Sequence, residues 1–349
     1  MNNMFSKLSI VVAAIAIGQI QGSEQNESQM LYSITMPGQN GMGGDTFRKN
    51  GVINTQDSSS YQSIGANPFA PADEKRKIDL GQDNCVNYFE QQLTQDQKAR
   101  SGNNLFFGIS QGTATLVNFL AKKSHAEQEN TAKGLVLESV LGSGNSAILH
   151  TVSNVPVVTY LPFARFWAPW VAKPVVFPTY KPYGQQVFSS IKKISPNIPM
   201  VMMHDQNDPQ LSVNDARQAY INAKKAGHQR AYLMETNCGE PRHFDLLGGN
   251  WGIEKDVKKI AALQAIYKKE GLPFATTTVK SRSETVDLTQ MINETDLTEY
   301  QPSVKDVQRR INRSTRLSFW TRNVIDTLAF AGIAGGIYYK YFRGGKKTA

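Results

Sequence analysis

Short apolar runs alternate with longer mixed stretches through the middle of this chain. Leu31 to Met36, Leu105 to Phe107, Gly134 to Leu137, Ile198 to Met203 and Arg230 to Met234 are of strand length and mostly apolar. Runs of this kind, bounded by turn residues, read as strands, and Ile198 to Met203 reads as a buried one. Lys77 to Gly81 predicts one more short strand. Asn84 to Leu93, Ala114 to Lys122 and Val213 to Ala226 have the length and mixed pattern of helices. Strands alternating with helices predict an α/β fold with a mostly parallel sheet flanked by helices. Asp45 to Asp73 is polar and rich in Ser, Asn, Gln and Gly, which reads as a long surface loop.

The pattern changes at both ends. Leu8 to Ile17 is apolar, follows Lys7, and gives way to small and polar residues around Gly22 and Ser23. This predicts a signal peptide over residues 1–22, since the run is too short to span a bilayer comfortably. A globular domain is expected over 23–272, with a polar linker at 273–322. Val324 to Tyr339 is apolar apart from Asp326, with Trp320, Tyr338, Tyr339 and Tyr341 near its ends. It predicts a C-terminal transmembrane helix over 323–342 and a basic tail at 343–349. Gly332 and Gly336 form a G-x-x-x-G pair that permits close helix contact and with it a homodimer, against the plainer reading of glycine-rich packing or flexibility.

Charge sharpens this division. Of the net +9 carried by the 349 residues, +8 lies in residues 300–349, which hold ten Lys or Arg and two Asp. The rest of the chain is nearly neutral, which argues against nucleic acid as a partner. The basic end suits a membrane surface. Two cysteines, Cys85 and Cys238, are too few for a disulfide scaffold. In an oxidising compartment a bridge between them would rigidify the loop that holds His243. No metal-ligand spacing and no dinucleotide or Walker fingerprint is present.

The candidate chemistry begins at Gly108-Ile109-Ser110-Gln111-Gly112, a G-x-S-x-G sequence between a strand-like and a helix-like run. Such a serine sits on a tight strand-to-helix turn with its hydroxyl exposed at the sheet edge. A serine hydroxyl is a weak nucleophile and needs a base, which a carboxylate in turn orients. Asp208 follows the strand ending at Met203, and His243 follows the strand ending at Met234. Asp205 is the rival acid, and Glu138 at the end of its strand is an alternative read as a solvated strand end. Of the five histidines, His125 and His150 precede the acid. His204 is placed to shape the acid's turn, and His228 has the setting of a cation at a helix C-terminus.

The order Ser110, Asp208, His243, each just after a strand, resembles the α/β-hydrolase family over roughly residues 30 to 270. Asp205 stands where that family's acid turn has Gly, and Arg242 precedes the histidine. The family's two leading strands have no counterpart, which implies a smaller sheet. The resemblance implies an oxyanion hole from the backbone N–H of Gln111 and from the loop Pro37 to Gly41, where Gln39 takes the position of the donor, ahead of Asn40. Pro37 replaces the family's histidine there. It also implies a cap between the strand ending near Glu138 and the acid strand. Residues 155–184 fit, with six prolines that preclude a long helix and with Phe166, Trp167 and Trp170 as candidate substrate-binding residues.

These residues lead to an expected function. The chain resembles an exported, membrane-tethered serine hydrolase that cleaves a carboxylic ester through an acyl-enzyme, with no cofactor and no metal. A peptidase or thioesterase of the same fold, or a catalytically inactive hydrolase-like binding module at a membrane, are the alternatives.

Overall fold

A computed structural model describes residues 32–36, 61–63, 79–96, 104–153, 180–237, 243, 257–272, 275–280 and 285–338. The expected signal peptide, the loop carrying Gln39, the cap residues Phe166, Trp167 and Trp170, Cys238 and the basic tail lie outside the described residues.

Six strands form one parallel sheet: β1 (Tyr32–Met36), β2 (Tyr61–Ser63), β3 (Asn104–Ile109), β4 (Gly134–Glu138), β5 (Met200–Asp205) and β6 (Ala231–Thr236), in the order β2-β1-β3-β4-β5-β6. The helices between them are α1 (Asp83–Asp96), α2 (Gln111–Leu120), α3 (His125–Thr131), α4 (Gly144–Ser153), the short α5 (Val187–Ser190) and α6 (Val213–Lys225). Strands β3 to β5 are buried along their whole length. Their side chains alternate between two cores, as a pleated strand requires. Phe106, Leu135, Leu137, Met200, Met202 and Leu233 join the helices of one face, among them α1, α2 and α6. Leu105, Phe107, Val136, Val201, Met203 and Tyr232 join α7 (Val257–Glu270) on the other. Both faces are therefore covered, which is why these strands read as continuous apolar runs.

The chain runs outward from β1 to β2 and then returns past β1 to β3. That reversal puts the switch point of the sheet between β1 and β3, and open α/β sheets bind ligands at the carboxyl edge of such a point. Ser110 is the residue directly after β3.

Four expectations change. No strand is found at Asp79 to Gly81: Leu80 (φ 54°) and Gly81 (φ 84°) make a turn, and the Asp79 carboxylate accepts the N–H groups of Gln82 at 3.0 Å and Asn84 at 2.5 Å. The second strand is instead Tyr61–Ser63, inside the stretch read as a surface loop. A three-residue edge strand needs only backbone pairing with β1, so no apolar period marks it.

The polar linker expected over 273–322 is, across its described residues, a set of elements laid on the body. It contains the antiparallel pair β7 (Thr278–Lys280) and β8 (Thr285–Asp287), α8 (Thr289–Glu294) and the start of α9 (Val304–Tyr338). Leu288 and Ile292 are buried in the α7 core, and Val307 is buried in the α6 core. Tyr220 of α6 donates to the Pro302 carbonyl at 2.9 Å, and Asn214 Nδ2 donates to Ser314 Oγ at 3.0 Å. Glu235 on β6 is held by Arg217 at 2.7 Å and approached by Arg310 of α9 at 3.4 Å. The apolar stripe Val304, Val307, Ile311 is one residue wide and is hidden among arginines.

The transmembrane helix expected over 323–342 is also corrected. Among the described residues no helix is long and apolar enough to cross a membrane. Asp326 and three glycines dilute the apolar side chains of α9. At the positions described this half of the helix is exposed: Leu328, Ile333 and Ile337 are 68%, 55% and 53% exposed. A Cβ added at Gly332, Gly335 or Gly336 would meet no atom within 4 Å.

Candidate active site

Ser110 stands at the N-cap of α2 with φ 53° and ψ −120°, a conformation a side chain rarely adopts. Its N–H donates to the Glu138 carbonyl at 2.9 Å, and its carbonyl accepts Thr113 N–H at 3.0 Å and Thr113 Oγ1 at 2.6 Å. The turn is tight enough that a Cβ on Gly108 would lie 2.9 Å from the Thr113 backbone. This is the physical reason for the first glycine of the sequence motif. The serine hydroxyl makes no capping bond to the helix. It lies instead 2.9 Å from His243 Nε2.

Asp208 lies in the turn after β5 and is buried. Its Oδ1 accepts the N–H groups of Gln210 at 2.8 Å and Leu211 at 2.9 Å. His243 Nδ1 is 3.0 Å from Oδ1 and 2.9 Å from Oδ2. A carboxylate only accepts, so Nδ1 carries the proton and Nε2 is left to accept from Ser110. Burial alone would raise the Asp208 carboxyl, but bonding to His243, the nearby imidazoles and the Leu211 amide outweigh it. The group is held below the ordinary carboxylate range. Ser110, Asp208 and His243 are thus brought together as a connected chain of hydrogen bonds.

The rival acids are placed differently. Asp205 accepts Asn207 N–H at 2.6 Å and Thr236 Oγ1 at 3.3 Å, which fastens the turn that carries Asp208. Glu138, expected to be solvated, is 1% exposed. His228 is not a helix-end cation: it is fully buried, its Nε2 lies 3.0 Å from the Ile194 carbonyl, and burial lowers its pKa. His204, expected to shape the acid turn, does so: Nδ1 accepts Val140 N–H at 3.1 Å, and Nε2 lies 3.2 Å from the Leu211 carbonyl.

Gln111 occupies the first position of α2, where a backbone N–H has no partner within the helix and faces the positive end of its dipole. Its side chain is anchored by Nε2 donating to Cys85 Sγ at 2.8 Å. Cys85 is a buried free thiol that burial, with the charge of Asp79, pushes up to about 12. Sequence reasoning missed Ser139, buried beside the site with φ 52°, whose Oγ donates to the His243 carbonyl. A lone serine after a strand gives no pattern to find it by. Among the described residues no group of three or more His, Cys, Asp or Glu side chains could hold a metal ion.

No family model and no curated protein matches the chain. Similar solved structures include a membrane phospholipase A described as a novel bacterial virulence factor, at 11% identity and TM-score 0.44, over 77% of this chain and 92% of that one. An esterase from Rhodococcus sp. ECU1013 is 11% identical with TM-score 0.43, over 69% of this chain and 90% of that one. Pyrococcus horikoshii acylaminoacyl peptidase is 12% identical with TM-score 0.43, and this chain spans only 40% of its length. Likenesses this distant carry no argument about chemistry. The fold stands on the chain's own geometry: an open parallel sheet of order β2-β1-β3-β4-β5-β6, helices on both faces and a strained serine turn after β3 make it an α/β-hydrolase fold.

Proposed function

We propose that this chain is a serine hydrolase acting on carboxylic esters. The observation that carries the reading is the run of hydrogen bonds from Ser110 Oγ through His243 to Asp208, at 2.9 Å on either side of the imidazole. In this reading Ser110 Oγ attacks the acyl carbonyl while its proton passes to His243 Nε2. The carbonyl oxygen becomes an oxyanion, met by the N–H groups of Gln111 and Gln39. The intermediate collapses, and the leaving alkoxide takes the proton from His243. Water then attacks the acyl-enzyme with His243 again as base, releasing the acid and restoring the serine. Asp208 stays ionised throughout, holding the imidazole tautomer and offsetting the charge of the imidazolium. Phe166, Trp167 and Trp170 supply apolar surface for an acyl chain, which is why an ester is preferred to a peptide.

The same reading places the chain at a lipid surface. The described residues of α9 from Thr327 to Ile337 are exposed and carry Leu328, Ile333 and Ile337, aliphatic side chains suited to lying in a bilayer interface. Lys340, Arg343, Lys346 and Lys347 follow this helix directly.

The test is labelling of the full chain by a fluorophosphonate, beside Ser110→Ala and His243→Ala. Labelling of the parent and its loss in both variants is the expected result. A well-folded parent that stays unlabelled would sink the enzyme reading in favour of a hydrolase-like binding module.

A further inference from the structure

We infer that Ser139 and His204 are positioning residues that close a hydrogen-bonded ring around the His243–Asp208 pair; the inference rests on the hydrolase reading of that pair. The ring begins at the backbone after β4. Ser139 Oγ donates to the His243 carbonyl, and the next N–H, that of Val140, donates to His204 Nδ1 at 3.1 Å. Because Nδ1 accepts, the proton of this imidazole sits on Nε2. Nε2 then donates to the Leu211 carbonyl at 3.2 Å and stands 3.5 Å from Asp208 Oδ2. Leu211 N–H donates to Asp208 Oδ1 at 2.9 Å, and Asp208 accepts from His243 Nδ1, whose residue closes the ring through its carbonyl on Ser139.

Two features set this ring apart from ordinary turn bonding. The first is the backbone of Ser139. At φ 52° it lies in the left-handed region although it is not glycine, and it is fully buried. Such strain persists only where the surroundings over-determine it, and it concentrates at functional sites. Here the left-handed turn lets one residue send its hydroxyl to His243 and its following peptide to His204. Ser139 N–H is fixed in turn by the Met203 carbonyl at 2.9 Å.

The second feature is the state of His204. It is fully buried, burial lowers its pKa, and the charges facing it are Asp208, His243 and His150. His150 on α4 reaches the Asp208 carbonyl with Nε2 at 2.9 Å. His204 therefore serves as a neutral strut with a fixed tautomer. The ring holds His243 at two points, its carbonyl through Ser139 and its ring through Asp208. Together they fix where Nε2 meets Ser110. Errors of about 1 Å in such a contact cost on the order of a hundredfold in rate.

The experiment follows fluorophosphonate labelling of the full chain over probe concentration, for the parent, Ser139→Gly, His204→Gln and the double variant. Glycine accepts the left-handed backbone and removes only the small hydroxymethyl group, so the melting midpoint should stay within a few degrees of the parent. The expected result for each single variant is a ten- to hundredfold fall in the maximal labelling rate, with the half-saturating probe concentration within twofold. If the ring acts as a unit, the double variant falls no further than the worse single one. Multiplied losses in the double variant would overturn the ring. So would a Ser139→Gly chain that labels as fast as a labelling parent. A parent that never labels overturns the hydrolase reading itself, and the ring's role with it.

Discussion

A serine at a helix N-cap ordinarily gives its side-chain oxygen to the first turn of the helix. Ser110 does not, because φ 53° turns its hydroxyl away from the helix and toward His243. The same economy of small side chains recurs at Ser139 and at Asp208, where geometry rather than residue type decides the role. Asp215 offers a test at this scale. It is buried at the first turn of α6, where it accepts Ser146 Oγ at 2.6 Å and Gly142 N–H at 3.0 Å. Burial, aided by the charge of Asp208 and opposed by those bonds, raises its carboxyl to about 7. Its folded-state value thus lies above the unfolded one. The neutral acid is favoured by folding, so the stability it contributes is complete below about pH 4 and lost as pH rises through 7. Asp215→Asn should match the parent in urea midpoint near pH 4 and exceed it at pH 8. A parent that gains on the variant between pH 4 and pH 8 would contradict a raised pKa.

At the scale of elements, the sequence was most readable where both faces of a strand are covered. The runs ending at Phe107, Leu137, Met203 and Met234 became β3 to β6 because burial on both faces demands unbroken apolar side chains. The chain order of serine, acid and histidine was readable for the same reason, since each follows such a strand. β2 was not, as edge pairing uses backbone groups that any residue has. Nor was the docking of α9, whose stripe of Val304, Val307 and Ile311 is thin and flanked by charge. Ser139 and the burial of His228 escaped because tertiary contacts alone create them. The two ends of α9 now predict opposite sensitivities. Val307 is fully buried against α6, so Val307→Ala should cost about 2 kcal/mol through lost transfer and an unfilled cavity. Ile333→Ala, on the exposed half, should stay within about 0.5 kcal/mol. Urea midpoints of the two full-length variants settle the contrast, and equal losses would mean that both halves pack on the body.

On the scale of the whole molecule, the charge and the apolar exposure fall at the same end. The body is close to neutral, and the +8 of residues 300–349 surrounds a helix whose described residues beyond Thr327 are exposed. Three exposed aliphatic side chains, Leu328, Ile333 and Ile337, would gain roughly 2 kcal/mol each if fully buried in acyl chains, less what ordering costs. That is comparable to one myristoyl chain, which alone gives only marginal binding. A second signal is then needed, and four basic residues at about 1 kcal/mol each beside anionic headgroups are of the right size. The full chain should therefore co-float with vesicles containing anionic lipid and bind much less to purely zwitterionic ones. Raising the salt should release it, because these charges act at the surface within a Debye length. Replacing Lys340, Arg343, Lys346 and Lys347 together by Gln should weaken flotation about as much as removing the anionic lipid. Ile333→Asp should weaken it on both vesicle types. Binding indifferent to salt, lipid charge and tail charge would refute the two-signal reading. A chain that instead pairs with its own copy in solution, losing the pair on Gly332→Leu, would give the exposed helix to a homodimer.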